Sequence, residues 1–179
     1  MIEANLKKDK TGFSVVELCI VLAVTVILAA ISLPMLTSSM HSMQLVSDAR
    51  SIATTMTYAK LSAASQMTWY RISFNLSGND WRLEKRNRST LEFELQNSAN
   101  GLSGGVANSG IAFRTTSTTN PPGFLTTSSN TITFTSRGTP QEGASIIYLS
   151  NNDEDYAVSV SLSGNIQVWR YRDNQWCSI

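Results

Sequence analysis

Residues 11–36, TGFSVVELCIVLAVTVILAAISLPML, form an apolar run that follows a short basic leader and holds one carboxylate, Glu17. Between positions 13 and 36 there is no Lys, Arg or Asp, and about 20 predominantly apolar residues suffice for a helix to cross a bilayer. A helix apolar on every side must bury itself, in a large core or in lipid. The run therefore predicts a membrane-spanning helix over residues 13–36, from which the rest of the chain hangs.

The order of the parts narrows this further. Lys7, Lys8 and Lys10 stand just ahead of Gly12, and the apolar run begins only behind it. A secretory signal peptide carries its small-residue cleavage site after the apolar region and loses that region on processing. Here the processing point, Gly12-Phe13, lies in front, so the helix stays with the mature chain.

Gly12-Phe13-Ser14-Val15-Val16-Glu17-Leu18 resembles the prepilin peptidase site of type IV pilins and type II secretion pseudopilins. The resemblance implies cleavage after Gly12 and N-methylation of Phe13 by a prepilin peptidase/methylase. Glu17 and Pro34 fall at the distances from that cut at which pilins carry those residues. It also implies assembly on an inner-membrane platform with other pilin or pseudopilin subunits.

A carboxylate in the hydrocarbon region costs roughly 2.5–3.5 kcal/mol on insertion scales, which makes an intramembrane acid a functional residue with a partner by default. The cation that the family resemblance supplies for Glu17 is the α-amino group of Phe13 on a neighbouring subunit, a pair that would set axial register during assembly. The alternative is that Glu17 sits near the cytoplasmic interface and snorkels. Pro34 lacks an amide hydrogen and clashes with the carbonyl one turn back, at about 3 kcal/mol in a helix interior. Because residues 37–66 again read as helix, Pro34 predicts a kink within one long helix rather than its end.

Topology follows from charge. The leader holds three Lys while residues 37–47 hold no Lys or Arg, so the positive-inside rule keeps the leader cytoplasmic. The expected location is the bacterial inner membrane, single-pass, with the C-terminal part periplasmic. Removing residues 1–12 takes three Lys, Glu3 and Asp9 from 14 basic and 13 acidic residues, leaving 11 of each; a neutral mature chain lacks the electrostatic footprint of a nucleic-acid binder. That compartment permits disulfides, but Cys19 lies in the predicted span and Cys177 at the far end of the chain.

Beyond residue 37, Leu45, Ala49, Ile52, Met56, Ala59 and Ala63 recur at spacings of four and three, an amphipathic stripe of helical period. After Gln66 the pattern turns to short alternating runs between turn residues. Residues 69–75 and 81–86 form a hairpin about Ser77-Gly78-Asn79, and 90–95 add a third strand. Residues 96–130 are rich in Ser, Thr, Asn and Gly around one strand-like piece at 111–114, and read as a long surface excursion. Four further strands are expected at 131–136, 145–150, 156–162 and 165–171.

Phe134-Thr135-Ser136-Arg137-Gly138, then 146–149, then Val158-Ser159-Val160-Ser161 leading to Gly164-Asn165-Ile166-Gln167-Val168, resembles the C-terminal half of H-type pseudopilins and FimT-like minor pilins, the FimT/GspH family. Arg137-Gly138 also has a local reading, a strand-ending turn in which Gly supplies a positive φ. Some FimT-like minor pilins take part in DNA uptake through a closing hairpin of the form Gly-Arg-x-Arg. Here that stretch is Gly164-Asn165-Ile166-Gln167, without the arginines. Arg170 and Arg172 lie among Trp169, Tyr171 and Trp176, and Arg82, Lys85, Arg86 and Arg88 make a second basic group. Aromatics among cations can serve nucleic-acid strands; the competing reading is solvated strand faces, which the acidic neighbours Glu84, Glu92 and Asp173 favour.

The inventory speaks against enzymatic chemistry. The single histidine, His41, has no Cys or carboxylate at metal-ligand spacing, and neither a nucleophile elbow nor a phosphate-binding loop occurs. Asp153-Glu154-Asp155 reads as a solvated acidic loop rather than a Ca²⁺ site, and no cofactor is implied. The expected fold is α+β and pilin-like: leader 1–12, membrane half-helix 13–36, amphipathic half-helix 37–66, and a β-rich domain 67–179 in an antiparallel sheet or small sandwich. The expected function is that of a minor subunit assembled through its N-terminal helix into a type IV pilus. The alternatives are an H-type subunit of a type II secretion pseudopilus and a DNA-binding minor pilin for natural transformation.

Overall fold

The computed structural model describes residues 14–96, 100–102, 112–114, 119–124, 130–151 and 153–179, and of residues 32–39 the helical backbone alone. Gly12 and Phe13 lie outside the described residues, as does the side chain of Pro34. Helix α1, Val15–Gln66, has 52 residues and opens at Ser14, whose carbonyl accepts the Leu18 amide at 3.1 Å. Its backbone remains helical through position 34, so Pro34 does not end it. The chain divides into two compact units, Met1–Ser39 and Met40–Ile179.

In the second unit the helix folds as its stripe dictates. Leu45, Ala49, Ile52, Met56, Ala59 and Ala63 are all fully buried, one per turn on a single face. The helix ends without glycine: Met67 takes a left-handed φ of 50°, and the Thr68 amide returns to the Ala63 carbonyl at 3.2 Å, the 6→1 bond of a Schellman motif.

Ten strands follow: β1 Tyr70–Asn75, β2 Asp80–Arg86, β3 Phe93–Leu95, β4 Asn100–Gly101, β5 Ala112–Arg114, β6 Thr131–Phe134, β7 Ser145–Ser150, β8 Asp155–Val160, β9 Ile166–Arg172 and β10 Gln175–Ser178. They form two five-stranded antiparallel sheets. The first has the order β3-β2-β1-β6 with β4 also on β2, and the second β10-β9-β8-β7-β5. The fold is α+β, and neither sheet closes into a barrel.

One apolar cluster joins the helix stripe to both sheets, taking Tyr70, Ile72, Phe74, Trp81 and Leu83 from the first and Ile147, Leu149, Tyr156, Val158 and Val160 from the second. The alternate residues of the second sheet, Ile146, Tyr148, Ala157, Trp169 and Trp176, build a separate cluster on its far side. Both faces of β7 are therefore covered, and all six of its residues are buried.

The sequence reading missed β10. Asp173 and Asn174 both have positive φ, 52° and 62°, the conformation of a two-residue type I′ hairpin turn, for which Asp and Asn are suited. The turn pairs Gln175 with Arg172 and Ser178 with Trp169.

Candidate assembly interface

In the first unit, Ile20, Val21, Leu22, Val24, Val26, Ile27 and Leu28 are all exposed. Successive helical residues point about 100° apart, so these cover every direction around the axis. Thr25 satisfies its hydroxyl on the Leu22 carbonyl at 2.9 Å, which leaves Glu17 as the one ionisable carboxylate on this surface. Glu17 lies in the first turn, three residues after the N-cap position of Ser14. Ser-x-x-Glu ahead of an apolar run is the signature of a capping box, a signal present in the sequence but not read from it. The positive end of the helix dipole favours a carboxylate there by about 0.3–1 kcal/mol.

No helix among the described residues is long and apolar enough to cross a membrane. Cys19 and Cys177 are both free thiols at exposed positions.

The basic residues fall into separate places. Lys85, Arg86 and Arg88 line a concavity of about 490 Å³ that also holds Glu94. Arg88 donates to the carbonyl of Gln66 at the helix C-terminus, where a cation complements the dipole. The Arg86 Nε donates to the Leu91 carbonyl at 3.1 Å, and its guanidinium lies 4.7 Å from the centre of the Trp69 ring. Arg82 is 3.7 Å from Asp80.

Arg170 and Arg172 line a second concavity together with Asp153, Glu154 and Asp173. Arg170 donates to Glu154 Oε1 at 2.5 Å, while Glu154 Oε2 accepts from Ser42 Oγ at 2.9 Å. The Glu154 carboxylate raises the Arg170 pKa above its usual value, reinforced by Tyr156. Arg172 is exposed and stands 3.6 Å from Asp173. Four of the five arginines thus face a carboxylate or a helix-terminal carbonyl, and Arg86 is held by a backbone carbonyl and an indole. Glu154, the middle of the acidic triplet, serves as a link between helix and sheet, and no metal-binding cluster occurs among the described residues.

Residues 48–164 match the family described as type II transport protein GspH. Among solved structures, the minor pseudopilin EpsH of the Vibrio cholerae type 2 secretion system is similar at a TM-score of 0.52 and 10% identity, over 70% of this chain and 95% of that one. The type IV minor pilin FimU of Pseudomonas aeruginosa strain PAO1 is similar at 0.52 and 18%, over 74% and 92%. No curated protein matches the sequence. The family match spans well over half of the residues and takes in residues 48–66 of the helix, the whole of the first sheet and β5, β7 and β8 of the second, and the chain belongs to the GspH family of pilin-like minor pilins and pseudopilins.

Proposed function

We propose that this chain is trimmed after Gly12, methylated at Phe13, and assembled from the bacterial inner membrane into a type IV pilus as a minor subunit, with its C-terminal domain on the periplasmic side. The observation that carries the reading is a helix apolar in every direction over residues 15–31 with one ionisable carboxylate, Glu17, on it. Such a surface is stable only in lipid or among other helices. The dipole contribution of about 0.3–1 kcal/mol does not offset an insertion cost of roughly 2.5–3.5 kcal/mol for the carboxylate. Glu17 therefore calls for a cation, and the α-amino group of Phe13 on an adjacent subunit has the right charge and place in the chain.

The test is the mass of the mature N-terminus in cells with and without prepilin peptidase. Loss of residues 1–12 and gain of one methyl group are expected only with the enzyme; an uncut chain in its presence overturns the proposal. A second reading, an H-type subunit of a type II secretion pseudopilus, is favoured by the description of the matching family. Deletion separates the two: loss of twitching supports the pilus, and loss of protein secretion supports the pseudopilus.

A further inference from the structure

A strand at the edge of a sheet presents a row of N–H and C=O groups without partners, and folded proteins blunt such edges with charge, proline, bulges or covering chain. Two edges here are closed in that way. On β6 the Thr133 carbonyl accepts the Gln141 amide at 2.8 Å, and the Thr133 amide donates to Glu142 Oε2 at 2.9 Å. On β5 the Phe113 amide donates to Asn79 Oδ1 at 3.1 Å. A third edge strand, β3, holds Glu94 and follows Glu92, acids that oppose pairing with a strand of like charge.

β10 has none of these devices. Gln175-Trp176-Cys177-Ser178 includes no charge and no proline, and among the described residues it pairs with β9 alone. One bond fixes the direction of its backbone. The Ile179 amide donates to the Val168 carbonyl at 3.0 Å, so residues 175, 177 and 179 face β9. Because the pairs alternate along an antiparallel ladder, the N–H and C=O groups of Trp176 and Ser178 face outward. The far face of the sheet is already covered there, since Trp176 Nε1 donates to the Thr119 carbonyl at 2.8 Å. What stays open is the edge.

That edge is complementary to itself. When two β10 strands run antiparallel about a two-fold at position 177, the outward groups of each Trp176 meet those of Ser178 on the other copy, and every outward group is paired. On the far face the large Trp176 then lies beside the small Ser178, and no charge meets a like charge. A two-fold at position 176 would instead set indole against indole and leave Ser178 opposite the turn residue Asn174. At position 177 the central pair is of the kind without hydrogen bonds, with Cα atoms about 4.5 Å apart.

We propose that the outer edge of β10 is a pairing edge for a second copy of this chain, joined antiparallel about a two-fold at position 177. Such a contact uses the same patch twice and closes on itself. The inference does not depend on how the N-terminal helix is used.

The test uses the full chain carrying Cys19→Ser, in detergent micelles held in excess over protein, and follows disulfide-linked dimer on non-reducing gels after addition of diamide. As the Sγ–Sγ bond forms, this azo oxidant takes up the two electrons and two protons of the two thiols. A disulfide needs Cα atoms about 4.4–6.8 Å apart, so Cys177 is expected to link to its mate. Gln175→Cys/Cys177→Ser moves the thiol two residues from the two-fold, about 13 Å from its mate at the rise of a strand, and is expected not to link. Ser178→Pro keeps Cys177 and the bonds to β9 but removes an outward donor from each copy, and is expected to slow linking about tenfold. No linking at Cys177, equal linking from position 175, or an undiminished rate in Ser178→Pro overturns the proposal. Should Ser178→Pro not fold, the comparison of positions 177 and 175 decides alone.

Discussion

The ammonium of Lys60 donates to the carbonyl of Gly164 at 2.7 Å, tying the second turn from the end of the helix to the tip of the β8–β9 hairpin. Gly138 lies in the same contact. A Cβ on Gly164 would fall 2.6 Å from the Gly138 carbonyl oxygen, and one on Gly138 would fall 3.4 Å from the Lys60 side chain. Both glycines have φ +76°. The Arg137-Gly138 pair and the stretch opening at Gly164, which the sequence offered as a resemblance, thus have a physical cause: two tight turns seat together on one lysine.

Gly164→Ala is accordingly expected to destabilise the folded domain, since it meets backbone and also imposes a left-handed φ on a residue with a Cβ. Strain of this kind costs about 1–3 kcal/mol, read as a lowered denaturation midpoint. Gly123→Ala, with the same type of φ but open space, is expected to cost less; equal losses would refute the crowding argument.

Arg170→Ala would leave the Glu154 carboxylate, among the described residues, with its hydrogen bond from Ser42. Because Arg170 is about a third exposed, the loss is expected to be modest, about 1 kcal/mol, and to shrink further in high salt. Ser42→Ala and Arg170→Ala should be non-additive in a double-mutant cycle. Strict additivity would mean the three groups do not act as one link.

Burial raises the pKa of Tyr70, Tyr148 and Tyr156 above the ordinary 10.0. A raised folded-state pKa means the folded chain holds its protons more tightly, so this contribution is whole below pH 10 and is lost as pH rises through the folded values. Base unfolding is expected to begin above about pH 10, and Tyr148→Phe should flatten that limb in a pH-resolved melt. An unchanged limb in the variant would exclude Tyr148 as a contributor.

Glu17→Gln removes the charge and keeps the shape. Processing after Gly12 is expected to continue, while incorporation into sheared filaments falls. If the pair with Phe13 is worth about 1.4 kcal/mol, the fall is about tenfold. Normal incorporation of the variant would reduce Glu17 to a helix-capping residue.

Duplex DNA is expected not to bind the full chain even at low salt, because Arg82, Arg88, Arg170 and Arg172 each face a carboxylate or a helix-terminal carbonyl and Arg86 a carbonyl and an indole. A shift that weakens with salt and disappears in Arg170→Ala/Arg172→Ala would reverse that expectation.

The helix and most strands were legible from residue patterns alone. Apolar residues every three to four positions from Leu45 to Ala63 can face one core in only one way, and alternation in 70–75 fixes which side chains point inward. Glu17 in an otherwise uncharged run was legible for the same reason, since a charge among apolar groups is expensive wherever it lies. What the tertiary structure decided is pairing across distance. That Glu154 meets Arg170 and Ser42, that Arg88 closes a helix end, and that Trp176 holds Thr119 depend on sheet register and loop return. Those are set by the summed packing of many residues, and no local pattern records them.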